Sequence, residues 1–141
     1  MSILIIGDPH IGGSLSFGKV GIGSNLNSRI SDQLNLLDWT LDKAIESGIY
    51  NIIITGDVFD DPKPNPSLIT LFISWLKKCQ IYNVNVHIII GNHDVLRIGT
   101  IFYSPLDIIS EMDIDNIHIY KNINTIFINT MAITFLPYCD R

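Results

Sequence analysis

The chain has 141 residues, of which 47% are apolar and 16% are charged, and its formal net charge is −5. This length predicts one domain, and this apolar content excludes an intrinsically disordered chain. The acidic balance argues against a broad nucleic-acid-binding face. It does not exclude a nuclease, because bound divalent metal ions would offset several carboxylates in a site.

The cysteines and the N-terminus indicate the cellular setting. Cys79 and Cys139 form no Cys-x-x-Cys pair, which argues against a zinc knuckle or a redox motif. No apolar run approaches the roughly 20 residues that a membrane-spanning helix needs. The first residues lack the basic segment of a signal peptide and favour a strand. We therefore expect a cytoplasmic protein without a membrane partner, in a host cytoplasm if its source is a virus.

The first predicted elements are a strand, a loop and a helix. The apolar run that ends at Ile6 predicts the strand, and Gly7-Asp8-Pro9-His10 follows it. Residues 12–27 are rich in glycine and serine and predict a long loop, which leaves the first motif and should border a site. Apolar residues from Ile30 to Ile45 then recur every three or four positions, which predicts a helix capped by Ser28 and followed by Gly48.

Two further strands follow, with a helix between them. The run 51–55 is followed by Gly56-Asp57, and the run 86–90 by Gly91-Asn92-His93-Asp94. Short β-branched runs of this kind are typical of parallel strands buried on both faces. The intervening helix should begin with Asn65 as its cap and Pro66 at its first position.

The remaining elements are shorter. Ser104-Pro105 predicts a third helix through Met112, a strand follows at 117–120, and the segments 125–129 and 132–136 predict a hairpin. The order is βαβαβαβ and then a hairpin, which is typical of an α/β layered fold with a parallel sheet flanked by helices. His87 and His118 fall within strands and are expected to be structural or solvent-facing. Trp39, Phe72 and Trp75 have helical spacing and are expected in the core rather than as base-stacking platforms.

The polar motifs follow three strands at the point where each strand ends. Because the carboxyl ends of parallel strands meet at one edge of a sheet, we expect these side chains to converge in one crevice. Carboxylate, imidazole and amide oxygens suit Mn²⁺, Mg²⁺ or Fe²⁺. The candidate residues are Asp8, His10, Asp57, Asn92, His93 and Asp94.

In this order, Asp-x-His, Gly-Asp-x-x-Asp and Gly-Asn-His-Asp resemble the motifs of the calcineurin-like metallophosphoesterase superfamily. Within it, the segments 56–60 and 91–94, and Leu37-Asp38-Trp39 of the first helix, are similar to SbcD-type DNA repair exonucleases and their phage relatives. The resemblance runs from Ile3 to about Asp140. It implies two divalent metal ions, most simply Mn²⁺.

The resemblance also implies roles for single residues. Asp8 and His10 would hold the first metal ion, Asp57 would bridge both ions, and Asn92 would bind the second. His93 would be the catalytic histidine, with the side chain of Asp60 orienting its ring. Asp94 would be either a residue of the ligand shell or only a turn former.

The chain departs from the family pattern in one respect. Members of the family carry three further histidines in Gly-His and Gly-His-x-His motifs, whereas this chain has four histidines in all, two of which fall in strands. We therefore expect residues 1–141 to be the N-terminal portion of a single domain, with an incomplete second sheet and without the C-terminal metal-ligand half. Either that half is encoded elsewhere or was not sequenced, or the chain is a degenerate remnant.

Three functions stay open from the sequence. The resemblance favours a DNA exonuclease or endonuclease type of phosphodiesterase, weak or inactive alone, with DNA, an SMC-like ATPase subunit and the missing half as partners. A phosphatase or nucleotide phosphodiesterase is the second; Asp60-Asp61-Pro62 replaces the Asp-Arg-Gly of protein phosphatases and argues only against that class. The third is a non-catalytic remnant that binds DNA or an SMC-like ATPase.

Overall fold

The computed structural model describes residues 2–20, 26–112 and 114–139. In chain order the elements are β1 (Leu4–Ile6), α1 (Ser28–Glu46), β2 (Asn51–Ile54), α2 (Pro66–Ile81), β3 (Asn85–Ile89), β4 (Leu96–Ile98), β5 (Ile101–Tyr103), α3 (Leu106–Ser110), β6 (Ile117–Tyr120), β7 (Asn124–Ile128) and β8 (Met131–Phe135). No helix among these residues combines the length and the hydropathy that crossing a membrane requires.

Four parallel strands form the central sheet in the order β1-β2-β3-β6. The strand pairs β4–β5 and β7–β8 are separate antiparallel hairpins. The predicted α/β layered fold is therefore confirmed. All four carboxyl ends of the central strands lie on the same edge of the sheet, which positions the polar turns that follow β1, β2 and β3.

One face of the sheet is covered by the helices. Side chains alternate along each strand, so Ile52 and Ile54 point to the same side as Val86 and Ile88. They pack in one core with residues of α1, α2 and α3, including the fully buried Phe72. Burying a side chain of this size contributes about 2–3 kcal/mol, so this face anchors the strands whose ends carry the polar motifs.

The helix starts follow the predicted chemistry with one correction. Asn65 caps α2 by accepting a hydrogen bond from the backbone N–H of Ser67, as predicted. The cap of α1 is Asn27 and not Ser28, because Asn27 has the extended backbone of a cap and its side chain accepts from Arg29 N. Ser28 is the first helical residue.

The second face of the sheet is only partly covered. The β7–β8 hairpin places Phe135 over Ile53 and Tyr120, whereas Ile5 on β1 is 65% exposed. The prediction that the strands are buried on both faces is therefore wrong for β1, which is an edge strand. The prediction of a core position is also wrong for Trp39, which is 57% exposed, and right for Phe72 and Trp75.

His87 lies inside this second face. It is 4% exposed, and its Nδ1 lies 2.9 Å from the Tyr120 hydroxyl. Its ring stacks on His118 and on Phe135. Burial, and then the neighbouring His118, lower the pKa of His87 from 6.5 to about 4. The expected structural role of His87 fits this position, and His118 is exposed as expected.

This burial predicts an acid dependence of stability. The unfolded chain protonates His87 below pH 6.5, but the folded chain does so only near pH 4, so the unfolded state binds more protons in that window. We expect the free energy of unfolding to fall by about 2 kcal/mol from this group between pH 7 and pH 4.5. Urea unfolding at pH 7 and pH 4.5 should show a smaller decrease in the free energy of unfolding for His87→Phe than for the wild type. His118 is exposed, so His118→Gln should show most of the decrease in the free energy of unfolding that the wild type shows. Equal decreases in all three proteins would contradict the prediction.

Candidate metal centre

The three polar turns lie side by side at the carboxyl edge of the sheet. Asp8 follows β1, Asp57 follows β2 and Asn92 follows β3. The first two turns continue the parallel pairing beyond the strands, since His10 N donates to Asp57 O at 3.0 Å and Ile11 N donates to Val58 O at 2.8 Å. This ladder fixes the histidine of the first motif against the aspartate of the second.

The backbone of the site is held in unusual conformations. Asp8, His10 and Asp57 have positive φ angles of 35°, 44° and 49°. Residues other than glycine rarely adopt such angles, and the surrounding fold must stabilise them. Gly91 allows the turns after β2 and β3 to approach closely, because a Cβ there would lie 2.4 Å from Asp57 N and 2.2 Å from Asp57 Oδ1. The turns therefore touch through backbone, with no room for a side chain.

Four side chains converge in this space. His10 Nε2 lies 3.8 Å from Asp57 Oδ2, and His10 Nδ1 lies 3.2 Å from Asp60 Oδ1. The His93 ring meets the His10 ring edge-on with centroids 4.9 Å apart. Ligand atoms of His10, Asp60 and His93 all lie within 4.8 Å of one another. His10 Nδ1 is buried and, among the described residues, has no hydrogen-bond partner, since its 3.2 Å contact with Asp60 Oδ1 lacks the geometry of a hydrogen bond. Imidazole nitrogens and carboxylate oxygens at this spacing form a donor set that fits a divalent ion.

The contact between Asp60 and His93 differs from the expected one. His93 Nδ1 lies 2.8 Å from the backbone oxygen of Asp60, while the carboxylate of Asp60 contacts His10. The reason lies in the turn: Asp60 N donates to Ile11 O, which directs the peptide oxygen of Asp60 to His93 and its side chain to the first motif. The ring is therefore oriented by a peptide group rather than by the side chain.

His93 is also held through its backbone. Its N–H donates to Asp57 Oδ1 at 2.8 Å. A carbonyl oxygen can only accept, so Nδ1 carries a proton and Nε2 is the nitrogen left for other partners. The hydrogen bond to Asp60 O raises the pKa of His93 above 6.5, and the carboxylates of Asp57, Asp60 and Asp94 act in the same direction. This arrangement favours the charged, proton-donating form of the ring.

Asp94 joins two of the turns from below the site. It is fully buried, its Oδ2 accepts from Gly91 N at 3.0 Å, and its Oδ1 accepts from Phe59 N at 3.4 Å. Burial raises the pKa of its carboxyl group, and these backbone hydrogen bonds oppose that rise. Both oxygens therefore bind backbone, which places Asp94 behind the site as a support for its turns.

Asp8 and Asn92 lie at the rim. Both are exposed, and Asp8 Oδ1 lies 3.4 Å from Thr55 Oγ1. The structure thus brings His10, Asp57, Asp60 and His93 together and places Asp8 and Asn92 on the same edge. Their binding of metal stays a prediction.

Two supporting residues were not predicted from sequence. Gln33 of α1 donates through Nε2 to His10 O at 2.8 Å and accepts from Gly12 N at 3.1 Å. A Cβ on Gly13 would lie 2.9 Å from Asp60 Oδ1. The glycine-rich loop therefore borders the site at its start, as expected, although it contains a short 3-10 turn at Leu15–Phe17. The expectation for residues 21–25 lies outside the described residues.

Comparison of the sequence with known proteins identifies its family. The family model described as calcineurin-like phosphoesterase matches residues 1–139. The chain is also similar to the DNA double-strand break repair protein Mre11 of Methanococcus maripaludis, with 32% identity over 71 residues. That alignment covers 50% of this chain and 19% of the length of the relative.

Proposed function

The chain belongs to the calcineurin-like phosphoesterase family, whose members hydrolyse phosphate esters, and from this premise we propose that it is a metal-dependent phosphodiesterase acting on DNA. The observation that carries the proposal is the convergence of His10, Asp57, Asp60 and His93 at one edge of a parallel sheet. The buried His10 Nδ1 meets the Asp60 carboxylate without forming a hydrogen bond, and a bound cation would satisfy both groups.

We assign the residues of the site to two roles, metal ligands and a proton donor. Asp8, His10 and Asp57 would hold one divalent ion, and Asp57 with Asn92 would hold a second. The carboxylate of Asp60 lies against His10, so it offers a further oxygen to the first position. Such ions, for which we propose Mn²⁺ with Mg²⁺ or Fe²⁺ as alternatives, would supply Lewis acidity toward water and phosphate oxygens.

His93 is the residue placed to move a proton. Its Nδ1 is fixed by Asp60 O and its backbone by Asp57, which leaves Nε2 to face the substrate. A proton at this position can pass to the oxygen that leaves when the phosphodiester bond breaks.

The proposal that DNA is the substrate rests on sequence similarity to DNA repair proteins. The resemblance to SbcD-type exonucleases and the similarity to a DNA double-strand break repair protein support it. We propose an SMC-like ATPase as a partner, and further histidines from outside residues 1–141 as additional ligands of this site, in the cytoplasm. Among the described residues we assign Asp57 and Asn92 to a second ion, fewer than the roughly three protein ligands of a catalytic site, and we therefore propose that residues 1–141 turn over slowly by themselves.

The test compares three substrates in the presence of Mn²⁺. We expect slow hydrolysis of bis(p-nitrophenyl) phosphate and of end-labelled DNA, and less of the monoester p-nitrophenyl phosphate. His93→Gln should lower the rate of DNA hydrolysis about a hundredfold or more, the usual effect of losing a general acid, while Mn²⁺ binding measured by calorimetry persists. Preference for the monoester would contradict the phosphodiesterase proposal. Fast turnover by the isolated chain would contradict the proposed need for further histidines.

A further inference from the structure

The side chain of Gln33 reaches from α1 to the turn that follows β1. Gln33 lies 23 residues after His10, yet its Nε2 donates to His10 O at 2.8 Å. Its Oε1 accepts from Gly12 N at 3.1 Å. A side-chain amide suits both contacts at once, because it carries a donor and an acceptor. Gln33 therefore pairs with the backbone of this turn much as a neighbouring strand would.

The turn at His10 adopts a conformation that needs support from outside. His10 has a φ of 44° and Gly12 has a φ of 92°. Within the turn, Gly13 N donates to His10 O at 2.9 Å, so this oxygen accepts from both Gly13 and Gln33. A positive φ is disfavoured for a residue such as histidine, and it persists where the surrounding structure holds it. The hydrogen bonds of Gln33 are part of that surrounding structure.

The two hydrogen-bonding groups of the His10 backbone are held from opposite sides. Its N–H donates to Asp57 O at 3.0 Å, and its C=O accepts from Gln33. Rotation about the N–Cα bond moves the C=O and the Cβ together, so a fixed oxygen also fixes the direction of the imidazole. That ring lies 3.8 Å from Asp57 Oδ2 and meets the His93 ring edge-on. The approach of these side chains thus depends on a residue of α1.

We propose that Gln33 is a positioning residue, whose side-chain amide fixes the backbone of His10 and thereby holds its imidazole in the candidate metal centre. The inference rests on the proposed function, whose metal site it refines. Replacing a residue that hydrogen-bonds to a metal ligand usually changes the affinity for the metal about ten- to a hundredfold. Gln33 contacts the backbone of His10 rather than its ring, so we expect the lower end of this range.

Calorimetric titration with MnCl₂ measures the effect on the metal. Gln33→Met keeps the length of the side chain and removes both hydrogen bonds, so it should weaken Mn²⁺ binding about tenfold. Gln33→Glu should also weaken binding, because a carboxylate cannot donate to His10 O. Its negative charge alone would strengthen the binding of a cation. Tighter binding by Gln33→Glu, or unchanged affinity in Gln33→Met, would therefore overturn the proposal.

Two variants of the same helix are the controls. Asn35→Met replaces an exposed amide by the same side chain and should leave the affinity for Mn²⁺ unchanged. Leu34 packs against the core, so Leu34→Ala should lower the midpoint of thermal unfolding without changing that affinity. If Leu34→Ala weakened Mn²⁺ binding as much as Gln33→Met does, the general packing of α1 would explain the effect and the proposal would fail.

A measurement without metal separates this inference from the proposed function. In EDTA, NMR of protein with ¹³C-labelled histidine should show a nuclear Overhauser effect between the rings of His10 and His93 in the wild type and in Asn35→Met. Gln33→Met should lose it, and its persistence there would overturn the proposal. If the wild type bound no Mn²⁺ while the NMR results were as expected, the proposed function alone would be wrong.

Discussion

Asp57→Asn is expected to abolish metal-dependent hydrolysis and to weaken Mn²⁺ binding more than about a hundredfold. This loss of affinity exceeds the usual one for replacing a residue that only hydrogen-bonds to a metal ligand. Asp57 Oδ2 faces His10, and its Oδ1 accepts the N–H of His93. The asparagine oxygen can still accept that N–H, so the fold should persist while the negative charge is lost. Calorimetric titration with MnCl₂ and the diesterase assay measure the two effects.

Asp61→Asn provides the matched control. Asp61 lies in the same loop, is exposed, and uses its Oδ1 only locally, to accept from Lys63 N at 2.7 Å. Its replacement changes the net charge by the same amount as Asp57→Asn. Equal losses in the two variants would show that loop charge in general, rather than Asp57, governs metal binding.

Gly91→Ala is expected to lower stability by about 3 kcal/mol, the upper end for overpacking a closed site. The added Cβ would lie 2.2 Å from Asp57 Oδ1 and 2.4 Å from Asp57 N, so the turn after β2 has to move. For a chain of this length the midpoint of thermal unfolding should fall by about 10 °C. Circular dichroism measures this shift, and Mn²⁺ binding should be lost with it.

Gly48→Ala is the control that distinguishes the steric clash at Gly91 from the general cost of replacing a glycine. Gly48 ends α1 with a φ of +64°, and a Cβ there meets nothing within 4 Å. Its replacement should lower the free energy of unfolding by about 1 kcal/mol, because alanine is strained in the left-handed backbone conformation. A loss at Gly91 no larger than the loss at Gly48 would contradict the close approach of the two turns.

Much of the site was predictable because each motif follows a recognisable strand. The runs before Asp8, Asp57 and Asn92 are short and β-branched, and parallel pairing alone then places all three on one edge. Local chemistry also predicted the cap at Asn65. These features depend on a few neighbouring residues, which is the information that a sequence pattern contains.

The features that escaped prediction depend on distant parts of the chain. The strands β4 and β5 have three residues each, too few for an alternating pattern to stand out. The direction of the Asp60 side chain depends on its hydrogen bond to Ile11, and the exposure of Trp39 depends on β1 being an edge strand. None of these is encoded in residue spacing.

The left-handed backbone at Asp8, His10 and Asp57 has an evolutionary consequence. Each such residue carries a strain of about 1 kcal/mol that a glycine would relieve. Substitutions that destroy the centre would therefore tend to make the chain more stable, and a lineage freed from the reaction would gain by accepting them. Two aspartates and a histidine at these three positions are therefore costly for stability alone, which fits the proposed metal centre better than a relic that drifts toward stability.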